Sequence, residues 1–121
     1  MSMFEIQYGP RWKNENGVQI FNVTDTDKTA EISIKANWSG IPDGAYLPSI
    51  VKVKWNITGD DGTELVSYSQ IGNKKIEFNL NKQDVGSYTA VLFITYQYRY
   101  QGDSLPIVNE VIKETSFKIE T

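Results

Sequence analysis

The side chains that most often perform enzyme chemistry are largely missing from this sequence. It contains no histidine and no cysteine, which excludes a Ser-His-Asp site, a Cys-His site and any metal site built on imidazole. Catalysis would have to use carboxylates, lysine, tyrosine or serine. We therefore interpret the chain as non-enzymatic, with no catalytic residues and no cofactor.

The carboxylates that could form a site lie in or beside predicted turns. A calcium site needs about six to eight converging oxygen ligands, and the segment Asp60-Asp61-Gly62-Thr63-Glu64 lacks the spacing of a calcium loop. A carboxylate pair for glycoside hydrolysis would also need a cleft. Turn formation explains these acids better, so we predict no metal site. The acids concerned are Asp25, Asp27, Asp43, Asp60, Asp61 and Glu64.

Length and composition predict one globular domain over residues 1–121. The chain is 40% apolar and 22% charged, as is usual for a folded domain of this size. A formal net charge of −3 argues against a nucleic-acid binder, which usually shows a clustered basic face. No apolar run approaches the ~18 residues that a membrane helix needs, and residues 1–12 show no secretion signal. We predict neither a nucleic-acid nor a membrane partner.

Apolar and polar residues alternate along most of the chain, which is typical of half-buried strands. Turn residues such as Gly59-Asp60-Asp61-Gly62 separate the runs. No segment shows a convincing helical period. The pattern predicts an all-β sandwich of seven to nine strands, with edge strands at Phe4–Tyr8 and Val18–Val23 and further strands at Ala30–Trp38, Val51–Thr58, Glu64–Gln70, Ile76–Leu80, Tyr88–Tyr100 and Val108–Glu120.

The segment Asp84-Val85-Gly86-Ser87-Tyr88-Thr89-Ala90 resembles a motif of the immunoglobulin fold, Asp-x-Gly-x-Tyr-x-Cys. In that fold the tyrosine hydroxyl bonds backbone just upstream, at a tyrosine corner, and the cysteine bridges the two sheets. Here Ala90 takes the place of the cysteine. The resemblance implies an immunoglobulin-like antiparallel β-sandwich without a disulfide, in which the Tyr88 hydroxyl bonds backbone near Lys82–Asp84.

The same resemblance implies a tryptophan in the core. In disulfide-bonded members a tryptophan on strand C packs against the bridge. Trp55 is the matching residue, and we expect it to pack against Ile34 (or Ile32) and Ala90. The alternative is that Trp55 is one buried aromatic residue in another kind of sandwich.

Three tyrosines at alternate positions, Tyr96, Tyr98 and Tyr100, continue the inward face of the strand that begins at Tyr88. A tyrosine combines an apolar ring with a polar tip, which suits a protein contact surface or a sugar platform. The alternative is that these residues cover the end of the sandwich or form a long hairpin with Ile107–Ile112.

The opposite face of that strand carries Val91 and Phe93. In a solitary domain this face would be solvated and mostly polar. Two large apolar side chains there predict a covered sheet, either under an N-terminal segment such as Phe4–Trp12 or under another protein or a second copy.

Within the immunoglobulin-like class, residues 20–120 resemble the N-terminal domain of baseplate upper proteins of phages that infect Gram-positive bacteria. The shared features are an acidic turn followed by alternating isoleucines (Asp25 to Ile34), the Gly-x-Tyr corner opening an apolar strand (Gly86 to Ile94), and the ending Ser116-Phe117-Lys118-Ile119. The chain departs from the family by the insertion Tyr96–Pro106 and by having no following coiled coil.

This resemblance implies a structural or interaction module of a phage virion, in the tail, baseplate or capsid surface. The expected partners are other virion proteins or a second copy, and the expected location is the virion, made in the host cytoplasm. The alternative is a carbohydrate- or protein-binding module of a bacterial surface or secreted protein, with a glycan held by the three tyrosines.

Overall fold

Strands form nearly all of the regular structure. The computed structural model describes residues 3–67, 71–72 and 74–121. Within these residues there is no α-helix, and two short 3₁₀ turns occur at Trp38–Gly40 and Lys82–Asp84. The strands are β1 (Phe4–Tyr8), β2 (Trp12–Glu15), β3 (Val18–Asn22), β4 (Thr29–Ala36), β5 (Ala45–Gly59), β6 (Glu64–Val66), β7 (Ile71–Gly72), β8 (Lys75–Asn79), β9 (Gly86–Tyr100) and β10 (Ile107–Glu120).

The strands form two sheets. The smaller sheet has the order β1-β4-β8, and the larger has the order β2-β3-β10-β9-β5-β6, with β7 also paired to β5. All pairs are antiparallel except β3 with β10, which run parallel over four residues. β1 therefore belongs to the smaller sheet, whereas β2 and β3 belong to the larger sheet, where β3 pairs with the last strand, β10. This arrangement confirms the predicted immunoglobulin-like sandwich: nine strands in the described residues have three or more residues.

Several strand boundaries differ from the sequence prediction. Trp38 does not end β4 but lies in a 3₁₀ turn, where the Asn37 side chain accepts a hydrogen bond from the Ser39 amide. β5 starts at Ala45 rather than Val51, because its early residues continue to pair with the end of β9 through two irregularities in register. The predicted strand Glu64–Gln70 is observed only as far as Val66; residues 68–70 lie outside the described residues.

The core lies between the sheets around Trp55. Its side chain is fully buried, and its backbone lies opposite Leu92 of β9, while the next inward residue, Ile57, lies opposite Ala90. Ile34, Trp55, Tyr88 and Ala90 all belong to one buried cluster. Ala90 is itself fully buried. Apolar packing therefore joins the two sheets at the position where disulfide-bonded immunoglobulin-like domains have a disulfide.

The tyrosine corner is confirmed. The Tyr88 hydroxyl donates a hydrogen bond to the Asp84 carbonyl oxygen at 2.6 Å, and the side chain is 5% exposed. The Asp84 carboxylate accepts a hydrogen bond from the Asn81 amide at 2.7 Å. Asp84 therefore holds the turn with its side chain and anchors Tyr88 with its backbone, which explains why the motif needs an acid four residues before the tyrosine.

The insertion at 96–106 extends the sandwich. Tyr96 lies opposite Asn109 and Tyr98 lies opposite Ile107, so β9 and β10 form one long hairpin. Its turn contains Gly102 at φ +90°, a conformation that glycine adopts without steric cost. The long hairpin with Ile107–Ile112, one of the alternatives that the sequence left open, is therefore observed.

Candidate interaction surface

The outer face of the larger sheet is the surface of β5, β9 and β10 that points away from the smaller sheet. The backbone register places Val91 and Phe93 at its centre, with Ile112 beside Phe93 and Val108 beside Gln97. Val91 and Phe93 are half-buried, whereas Ile112 is 59% and Val108 is 55% exposed. The outer face therefore carries an apolar patch, which we call the Phe93 patch: Val91, Phe93 and Ile112, with Val108 further along β10 beyond Glu110.

Charged residues flank the Phe93 patch in two separate columns. Lys52 and Lys54 lie on β5, opposite Thr95 and Phe93 of β9. Glu110 and Glu114 lie on β10, opposite Thr95 and Val91. None of these four side chains forms an ion pair with another residue in the described part of the chain. The patch thus has a basic side and an acidic side.

The N-terminal segment Phe4–Trp12 does not cover this face, so the first of the two alternatives drawn from the sequence is wrong. β1 pairs with β4 in the smaller sheet, and β2 pairs with β3 at the edge of the larger sheet. The Phe4 side chain points into the sandwich, where its ring lies 5.4 Å from that of Tyr96. The N-terminal segment lies away from the outer face because the backbone of Phe4–Tyr8 pairs with the edge of β4.

Two of the three predicted tyrosines are buried. Tyr96 and Tyr98 are 8% and 7% exposed, and both belong to the core cluster. Tyr96 packs between Phe4 and Trp38, with ring centroids 5.4 and 6.1 Å away. Two buried rings present no face to a sugar.

Tyr100 is the third predicted tyrosine and lies partly exposed at the end of the row. Its ring contacts Tyr98 edge-on at 5.8 Å. Desolvation, followed by the nearby Tyr98 and Asp103, raises the pKa of the Tyr100 hydroxyl above its ordinary value. The three tyrosines therefore form an inward stack rather than an open platform.

A groove of about 760 Å³ separates β1 from β10 at the side of the sandwich. It is lined by residues that include Phe4, Ile6, Trp38, Lys35 and Lys113. β1 pairs only with β4 along its described length, so its other edge faces this groove.

At one end of the groove the Tyr8 hydroxyl and Thr115 Oγ1 form a hydrogen bond of 2.8 Å. Burial raises the pKa of the Tyr8 hydroxyl above its ordinary value, and the hydrogen bond to Thr115 opposes this change. Nothing in the sequence predicts this groove, because it forms between two strands that belong to different sheets.

Three of the acids considered as metal ligands form ion pairs or hydrogen bonds with other side chains or backbone amides. Asp25 pairs with Lys82 at 2.8 Å and Asp27 pairs with Arg11. The hydrogen bond and charge of Lys82 lower the pKa of the Asp25 carboxyl. The Asp61 carboxylate accepts a hydrogen bond from the Thr63 amide at 3.0 Å, and bonding to Thr63 lowers its pKa. Among the described residues, no three acids are close enough together to hold a metal ion.

The sequence predicts Val91 and Phe93 as part of this surface but not its other residues. The signal was present: Phe117 and Ile119 define the inward positions of β10, which places Val108, Glu110, Ile112 and Glu114 on the opposite face. What the sequence could not show is that these residues lie beside Phe93.

In the part of the chain that is described, no helix is long and apolar enough to cross a membrane. Comparisons of the chain with protein-family models, with curated proteins and with solved structures found no match.

Proposed function

We propose that this protein is a non-enzymatic structural and interaction module that acts through its outer face. The observation that carries the proposal is the Phe93 patch, in which Ile112 is 59% exposed beside Phe93, and Val108 is 55% exposed further along the same face. An exposed apolar patch with a charged rim is typical of a protein interaction site. A scatter of single apolar residues would carry less weight, but Val91, Phe93 and Ile112 are neighbours on adjacent strands.

We place this module in a phage virion, in the tail, baseplate or capsid surface, with another copy or another virion protein as its partner. The support is the resemblance of residues 20–120 to the N-terminal domain of phage baseplate upper proteins. The location is then the virion, assembled in the host cytoplasm. A bacterial surface glycan-binding role loses its main support, because Tyr96 and Tyr98 are buried.

Two variants test the outer face. Phe93→Ser and Ile112→Ser remove apolar area from the Phe93 patch, and we expect both to retain the fold because neither side chain belongs to the core cluster. Val85→Ser is the matched control, since Val85 is also exposed but lies in the loop before β9. Circular dichroism and urea unfolding establish that each variant is folded.

The assay is incorporation into particles produced from the gene together with its neighbouring genes. Quantitative mass spectrometry of purified particles is expected to find the wild type and Val85→Ser at equal levels and the two patch variants depleted. Wild-type protein missing from the particles would contradict the virion assignment. Normal incorporation of folded Phe93→Ser and Ile112→Ser would contradict the role of the outer face. Tail or capsid genes on both sides of this gene would support the assignment independently.

A further inference from the structure

The charges beside the Phe93 patch are arranged so that the outer face of one copy is complementary in charge to the outer face of a second copy. Lys52 and Glu110 both lie level with Thr95, on opposite sides of it. We infer that a second copy of this chain packs face to face on the outer face, about a two-fold axis that runs along β9. The inference rests on the proposed function and names the partner.

The two-fold axis decides which charges meet. A two-fold interface between facing sheets is self-complementary, and its axis lies in the plane between them. An axis along β9 places the β5 column of one copy over the β10 column of the other. Lys52 then faces Glu110 of the partner subunit, and the symmetry forms this pair twice. Packed sheets are about 10 Å apart, a gap that a lysine and a glutamate side chain span together.

The apolar residues meet along the same axis. Val91 and Phe93 lie on β9, so each contacts its own symmetry mate near the axis. Lys54 and Ile112 lie on either side of Phe93, so the aliphatic stem of Lys54 covers Ile112 of the partner subunit. Its ammonium group then lies between two glutamates of that subunit. Long basic side chains commonly cover apolar surface in this way.

The other simple arrangement brings like charges together. A two-fold axis perpendicular to the strands at Phe93 would place Lys54 over its own symmetry mate and Glu110 over Glu114 of the partner subunit. Like charges directly opposite each other in an interface are unfavourable. The segregation of lysines on β5 and glutamates on β10 therefore selects the axis along β9.

The size of the face predicts a weak dimer. Three strands about 4.8 Å apart and about eight residues long cover on the order of 400 Å² per copy. A stable standard interface buries roughly 800 Å² per partner. Association of the isolated protein should therefore depend on concentration, whereas copies held close together in a particle associate at a high effective concentration.

Charge reversal tests the arrangement. Sedimentation velocity at concentrations up to about 1 mM is expected to show a monomer–dimer equilibrium for the wild type, weakened by added salt. Lys52→Glu and Glu110→Lys should each raise the dimer Kd roughly tenfold or more, because two attractive pairs become repulsive. Lys35→Glu is the control, since Lys35 is an exposed lysine on a strand of the smaller sheet, and its Kd should equal that of the wild type.

The decisive measurement combines the reversals. An equimolar mixture of the Lys52→Glu and Glu110→Lys proteins should associate as a heterodimer, and one chain that carries both changes should dimerise like the wild type, because both combinations restore opposite charges. A wild type that stays monomeric at about 1 mM overturns the inference, as does a dimer that neither single reversal weakens. In either case, the proposed function would still be supported if incorporation into particles depends on Ile112. A dimer with the expected charge pattern, formed by a protein that is missing from particles, would support the inference and contradict the virion assignment.

Discussion

Removing the hydroxyl of Tyr88 tests the element on which the assignment of the fold depends most. In Tyr88→Phe the ring keeps its place, because it stacks on Phe117 at 5.7 Å between centroids and 15° between planes. Only the hydrogen bond to the Asp84 carbonyl oxygen, at 2.6 Å, is lost. A bond between neutral groups contributes about 0.5–1.5 kcal/mol net. Asp84 is half-buried, so water can replace part of the bond, and we expect a loss of about 1 kcal/mol.

The assay is urea unfolding at pH 7 followed by tryptophan fluorescence, with thermal unfolding as a second measurement. A loss of about 1 kcal/mol corresponds to a fall in Tm of roughly 3–6 °C for a domain of this size. Tyr46→Phe is the matched control, since Tyr46 is exposed and forms no hydrogen bond with another residue in the described part of the chain. Its free energy of unfolding should match the wild type within about 0.5 kcal/mol.

The pH dependence gives an independent check. Desolvation, followed by the nearby charges of Asp84 and Asp61, raises the pKa of the Tyr88 hydroxyl above its ordinary value of 10.0. Because the folded state binds this proton more tightly, the stabilisation is complete below pH 10.0 and is lost as the pH rises through the raised pKa. The stability advantage of the wild type over Tyr88→Phe should therefore shrink above pH 10.0. Equal stability of the two proteins at pH 7, or a difference that does not change at high pH, would refute the assigned role of this hydroxyl.

Three further substitutions probe the core and the groove. Trp55→Ala should lower the free energy of unfolding by about 3–5 kcal/mol out of a total of ~5–15 kcal/mol, so a cooperative melt near the wild-type Tm would contradict the central position of Trp55. Trp55→Phe should cost less than Trp55→Ala, because it leaves a smaller cavity and removes a buried indole N–H that has no hydrogen-bond partner among the described residues. Tyr8→Phe should cost about 0.5–1.5 kcal/mol through the lost bond to Thr115, measured by urea unfolding, and an unchanged midpoint would show that this bond contributes nothing.

The sequence was a reliable guide to local structure and to the centre of the fold. Alternation along the chain identified most strands, because side chains of a strand point alternately to opposite faces. The Asp84–Tyr88 spacing identified the corner, because its hydrogen bond spans only four residues. Trp55 and Ala90 followed from their order relative to that corner, and both are fully buried.

The sequence was a poor guide to features that depend on contacts between distant residues. Tyr96 and Tyr98 alternate with polar residues like the rest of β9. The ring of Tyr96 is buried against Phe4 and Trp38, which come from the smaller sheet and the turn after it, and Tyr98 packs against Tyr96. β2 was missed for a related reason: it is a short strand stabilised by pairing with β3.

The amino-acid sequence by itself determined the all-β class and the corner, because each rests on spacing within a strand or across one turn, and it determined the central core residues through their order relative to that corner. Only the tertiary structure decided which surface is available for contact. Lys52, Thr95 and Glu110 are far apart in the chain, and strand pairing places them in one row. The burial of side chains and the pattern of charges on the outer face therefore depend on the register between β5, β9 and β10. They cannot be read from any one of these strands alone.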